Sequence, residues 1–139
     1  MSSAARATAA APSLYLAFDF GTRRIGVASG NSLTHSATAL TTLAQDSSEA
    51  RFAAIGRLVS EWQPAALVVG VPRHPDGAAH DNTRRAERFA RQLQGRFGLP
   101  VHEVDERYTT TEAIGAGAAD VDAESAALIL RQYFNEQTR

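Results

Sequence analysis

Hydrophobic and polar positions alternate with a period of two in the first ordered stretch of the chain. Leu14, Leu16, Phe18 and Phe20 share one face of a predicted strand, Leu14 to Phe20. Gly21-Thr22 reads as a turn, and Ile25 to Ser29 as a second strand. Gly30-Asn31-Ser32 is a further turn, and Thr34 to Leu43 a weaker third strand. The short connections predict an antiparallel meander. The period then changes to 3.6. Phe52, Ile55, Leu58, Val59 and Trp62 recur at helical spacing over 48–63, and Pro64 follows. Ala66 to Val71 is continuously apolar, as expected of a strand covered on both faces. After a loop from Pro72 to Asn82, residues 83–97 place Ala86, Phe89, Ala90, Leu93 and Phe97 on one helical face. Gly98 and Pro100 end that helix. Val101 to Asp105 reads as a strand, Thr109 to about Ala116 as a short helix, and Ala123 to Glu136 as the last helix. The expected order is β-β-β-α-β-α-β-α-α, an α/β fold with a mixed five-stranded sheet flanked by helices. Residues 1–12 read as a disordered leader and 13–139 as a single domain.

Composition narrows this picture. The 139 residues are 44% hydrophobic and 21% charged, enough for a real core. There is no cysteine, so any metal must rest on carboxylates, histidines or water. No apolar run approaches the roughly 20 residues that span a bilayer. The leader lacks the apolar core of a signal peptide, and the expectation is a cytoplasmic protein. Fourteen basic residues, all arginine, face fifteen acidic ones for a net charge of −1. Charge alone demands no nucleic-acid partner.

Three carboxylates need explaining. Asp19 stands near the end of an apolar strand expected at the sheet centre, where an unpaired carboxylate costs several kcal/mol. It either caps the Gly21-Thr22 turn, pairs with an arginine or holds a cation. Glu106 follows the last strand, at the kind of strand end where α/β sheets gather ligands. Its alternatives are an ion pair with Arg107 or a helix cap. Asp105 has the same chemistry but points to the opposite face. Asp122 falls on the inward face at the start of the last helix, where an N-cap role would also suit it. If the fold gathers all three, they repel one another unless a cation intervenes. Hard oxygen ligands suit Mg²⁺ or Mn²⁺. Two such ions about 4 Å apart would serve a phosphodiester displacement.

The segment Asp19-Phe20-Gly21-Thr22-Arg23-Arg24-Ile25-Gly26 resembles the opening motif of the YqgF family, also called RuvX. Val69-Gly70-Val71-Pro72 with Asp76-Gly77 is similar to its middle motif. Asp105-Glu106-Arg107-Tyr108-Thr109-Thr110 is similar to its third. Val121-Asp122, Ser125-Ala126-Ala127 and Ile129-Leu130 resemble its terminal helix. These motifs occur in order over roughly residues 14–136. The resemblance implies an RNase H-like fold and a nuclease that matures the 5′ end of pre-16S rRNA in ribosome biogenesis. A Holliday junction resolvase acting on branched DNA is the alternative. It also implies Asp19, Glu106 and Asp122 as the catalytic, metal-binding set for Mg²⁺ or Mn²⁺, with two-metal chemistry. The chain departs from the family where Gly115 to Val121 carries no positive charge, so phosphate contacts there would be few.

Arg23, Arg24, Arg73 and Arg107 are the candidate phosphate contacts, with structured RNA or branched DNA as the partner. Arg84, Arg88 and Arg91, with Arg85 beside them, form a helical stripe. Asp81 and Glu87 interleave, which favours a solvated charged face. His35, His74, His80 and His102 show no metal-ligand spacing. A non-catalytic RNA-binding assembly factor is the rival from another class. An actin-like ATPase would rest on Asp19-Phe20-Gly21-Thr22 alone and lacks a second domain. Oligomeric state is not legible.

Overall fold

The computed structural model describes residues 13–73, 76, 78–106 and 121–137. Its elements are β1 (Leu14–Phe20), β2 (Ile25–Asn31), β3 (Ser36–Leu43), α1 (Ser48–Trp62), β4 (Ala66–Val71), α2 (Asp81–Phe97), β5 (Val101–Asp105) and α3 (Val121–Gln137). The strands form one five-stranded sheet in the order β3-β2-β1-β4-β5. β1, β2 and β3 pair antiparallel; β1 with β4, and β4 with β5, pair parallel. This is the expected mixed sheet, with β1 at its centre. Among the described residues, no helix is long and apolar enough to cross a membrane. The expected leader, the short helix over Thr109 to Ala116, and Arg107 and His74 lie outside the described residues.

The period-two pattern of β1 separates two cores. Leu16 and Phe18 face α1 and α2, where they meet Phe52, Ile55, Phe89 and Leu93. Ala17, with Ala28 and Val68, faces α3 and its Ala126, Ile129, Leu130 and Phe134. All six residues of β4 are buried, because both faces are covered.

Element boundaries moved where side chains supplied hydrogen bonds that hydrophobic spacing does not reveal. α2 begins at Asp81 rather than 83, because His80 Nδ1 accepts from the Asn82 N–H at 3.1 Å. The Thr83 hydroxyl in return accepts from the His80 N–H at 3.0 Å, completing a capping box. Thr83 is fully buried and also donates to the Pro72 carbonyl, which fastens the loop after β4 to this helix. β3 begins two residues late, after His35 turns the chain in the left-handed region at φ 58°. α3 is tied across the sheet at both edges. Arg131 Nη2 donates to the Ala37 carbonyl of β3 at 2.7 Å, and Gln132 Nε2 to the Asp105 carbonyl of β5 at 3.1 Å.

Candidate active site

Asp19 sits on the α3 side of the central strand, next to the end of β1. Its register partners are Gly26 on β2 and Gly70 on β4. Residues in register project to the same face, so the carboxylate is flanked by two positions without side chains. Both gaps are filled by other parts of the site. A Cβ on Gly26 would stand 1.8 Å from the Asp122 carbonyl oxygen, so the first turn of α3 rests directly on β2. A Cβ on Gly70 would stand 2.8 Å from Glu106 Cγ and 2.4 Å from Ile129 Cδ1. The Glu106 side chain therefore lies over Gly70, beside Asp19. A row of glycine, aspartate and glycine thus seats one acid from β1, one from the end of β5 and one from α3.

The electrostatics confirm the crowding. Glu106 is pushed up to about 9 by burial first, and then by the Asp19 carboxylate, by a hydrogen bond to it and by Asp105. Asp19 is also raised, chiefly by burial; the hydrogen bond from Glu106 pulls it down and Asp122 pushes it up. Glu106 is the protonated partner, donating its O–H to the Asp19 carboxylate. Two carboxyls this close and this desolvated cannot both ionise unless positive charge replaces the shared proton.

Asp122 has a different environment. It lies within the first turn of α3, not at an N-cap, where the helix dipole favours negative charge. Its Oδ2 is 2.9 Å from Arg24 Nε. The Asp122 side chain is 31% exposed and that of Arg24 66%, so this pair is open to water whereas Asp19 and Glu106 are largely shielded. Among the described residues no group of three Asp, Glu or His side chains is arranged to hold a metal ion. The structure brings Asp19 and Glu106 together and leaves Asp122 nearby on Arg24. The donor chemistry of the first two fits a hard divalent cation, which would take the place of the shared proton.

Arg23 and Arg24 line a cavity of about 690 Å³ formed with Gly21 and Thr22, the Ala44 to Asp46 segment and Asp122. Asp19 and Glu106 do not line it, so the cavity meets the acidic row only at Asp122. Arg73 stands apart, 3.2 Å from Glu87 of α2. Two features had no signal in the local pattern. The seating role of Gly26 and Gly70 depends on cross-strand register. Arg51 of α1 donates from Nη1 to the Thr22 carbonyl at 3.0 Å, bracing the Arg23-Arg24 turn from 29 residues away.

Comparison with known proteins agrees with this fold. The family described as RuvX, Holliday junction resolvase, matches residues 13–136. A relative from Polaromonas sp., named "Putative pre-16S rRNA nuclease", is 61% identical over 119 residues, covering 86% of each chain. One of the same name from Burkholderia vietnamiensis is 54% identical over 132 residues, covering 88% of this chain and 89% of its own. Among solved structures, T. thermophilus RuvC in complex with Holliday junction substrate superposes with a TM-score of 0.60 at 14% identity. That match covers 91% of this chain and 96% of the other, and it establishes the RNase H-like fold. A family match that spans all of the described elements, on a sheet that seats its acids between two glycines, leaves one assignment: the chain belongs to the RuvX family.

Proposed function

We propose that the chain is a divalent-metal-dependent endonuclease that processes the 5′ end of pre-16S rRNA. The observation that carries this reading is the half-buried Asp19–Glu106 pair seated beside Gly70, which shares a proton that a cation would replace. The names of the relatives supply the substrate. Asp19 and Glu106 would hold Mg²⁺ or Mn²⁺, with Asp122 completing the set in the two-metal form of the reading. A metal held there would supply Lewis acidity toward the phosphate and a water of lowered pKa.

The chain's own residues have distinct tasks. Gly26 and Gly70 let the acids approach. Partial burial of Asp19 and Glu106 lowers the local dielectric and strengthens their hold on a cation. Arg24 neutralises Asp122 and lines the larger cavity with Arg23, where the pair can receive a phosphate bidentately. Arg73, held by Glu87, and Arg107 are the remaining phosphate contacts of this reading. A second reading, cutting of branched DNA, is favoured by the family description and by the likeness to RuvC.

The test is cleavage of a labelled 16S precursor 5′ segment beside a branched DNA, with Mg²⁺ or Mn²⁺ and with EDTA. Asp19→Asn and Glu106→Gln should each lower cutting by more than about a hundredfold while the fold is kept. Cutting of DNA alone would transfer the reading to the resolvase. Cutting that survives both substitutions would remove Asp19 and Glu106 from the site.

A further inference from the structure

We propose that a second pocket, on the α1–α2 face of the sheet, binds one nucleotide of the substrate strand beside the segment being cut. That the strand is a substrate rests on the nuclease reading; the pocket itself does not. It has a volume of about 260 Å³, below the roughly 300–1,000 Å³ of pockets for drug-sized molecules. Its apolar wall includes Phe20, Phe52 and Phe89, and its polar rim includes Arg51, Arg85 and Arg88. No carboxylate among the described residues lines it. This is a site for a small anion joined to a flat apolar group, the chemistry of a nucleotide.

Three observations argue against a merely solvated charged face. First, the acids of α2 that interleave with its arginines are engaged elsewhere. Asp81 pairs with Arg84 at 3.3 Å, and Glu87 turns to Arg73 at 3.2 Å. Arg85 reaches only the amide oxygen of Asn82, at 3.2 Å, and Arg88 has no ion-pair partner among the described residues. Their charge is left facing the pocket. Second, Phe20 is only half-buried and lies 4.9 Å from Phe89 at an interplanar angle of 33°, a ring on which a base can stack. Third, Arg51 links the pocket to the turn that lines the larger cavity, which meets the acidic row at Asp122. Its Nη1 braces the Thr22 carbonyl, and its Nε is buried without an acceptor among the described residues. The turn it holds carries Arg23 and Arg24 into the larger cavity. A strand crossing this turn reaches both places. Such a grip also answers the want of positive charge in Gly115 to Val121.

The experiment uses the full chain carrying Asp19→Asn, so that binding is read apart from cutting. Fluorescence anisotropy follows short single-stranded RNA and DNA of one sequence over a range of salt. Arg85→Ala with Arg88→Ala should weaken binding about tenfold and flatten the log–log salt slope by about 1.4, since each lost contact to a single strand removes about 0.7. Phe20→Leu should weaken binding and abolish the quenching of a 2-aminopurine base in the strand. Arg84→Ala with Arg91→Ala, on the same helix but outside the pocket, should change affinity less than about twofold. Equal weakening by the two arginine pairs, or none from Arg85 and Arg88, overturns the proposal. If the unsubstituted protein cuts nothing and the pocket still binds, the nuclease reading fails and the pocket stands. If it cuts and the pocket substitutions are silent, the pocket alone fails.

Discussion

The two faces of the sheet are built from the same strands but on opposite principles. The α1–α2 face is filled by large side chains: Leu16, Phe18, Leu67, Val69, Phe52, Phe89 and Leu93. Its rings meet edge-on or tilted, as Phe18 does with Phe89 at 5.9 Å. The α3 face presents Ala17 and Ala28 beside the glycine positions at 26, 30 and 70, and one helix lies close against it. One face obtains stability from apolar volume. The other gives up volume so that α3 can approach the strands, and at Gly70 the room gained is shared by Ile129 and the Glu106 side chain. The difference teaches that the acidic site is made by what the strands omit as much as by what they carry.

That contrast can be broken in order of expected effect. Phe89→Ala removes the ring shared by Phe18, Phe20 and Phe52, and should cost about 3–5 kcal/mol of stability in chemical denaturation. Gly26→Ala adds a single methyl group on the other face, yet that methyl would meet main-chain atoms of Asp122 and Ala123, which cannot rotate away. A loss of about 1–3 kcal/mol is expected, with displacement of α3 and of cutting activity. Little change in either would show that the two faces do not differ as described. Gly70→Ala should be milder for stability, under about 1.5 kcal/mol, because it meets the ends of the Ile129 and Glu106 side chains. Its mark should be on metal affinity, measured by calorimetry, since Glu106 is the group displaced.

A test of a different kind is the dependence of stability on pH in EDTA. The Glu106 carboxyl is raised in the folded chain, from an ordinary 4.5 to about 9. The folded state therefore holds a proton that the unfolded state releases. The stabilisation is complete below about pH 4.5 and is lost as pH rises through about 9. Glu106→Gln should flatten this decline in thermal midpoints between those limits, and saturating Mg²⁺ should oppose it in the unsubstituted protein. A decline that Glu106→Gln leaves intact would place the proton elsewhere.

Much of the site was legible as a list and little of it as an arrangement. Asp19 was conspicuous as a charge on an apolar strand, and Glu106 as an acid beyond a strand end. Asp122 was read as an inward residue of the last helix, with an N-cap as its plain alternative, but the helix begins at Val121 and the carboxylate pairs with Arg24. The α2 stripe read as a solvated charged face. Its acids pair with Arg84 and Arg73, and among the described residues Arg85 and Arg88 have no ion-pair partner. Spacing along a helix names neighbours three and four residues away; it does not say which of them a distant loop will claim.

What the sequence by itself determined is the alternation of elements and the face each strand residue would take, because periods of two and 3.6 are local properties of the backbone. Those periods placed Phe18 and Asp19 on opposite sides of the central strand and marked β4 as covered on both. Only the tertiary structure decided that Gly26 and Gly70 stand beside Asp19, that Glu106 shares its proton, and that Arg51 braces a turn 29 residues away. Register and helix approach depend on contacts between segments far apart in the chain, and those contacts are settled together, when the sheet closes and the helices find how near they can come.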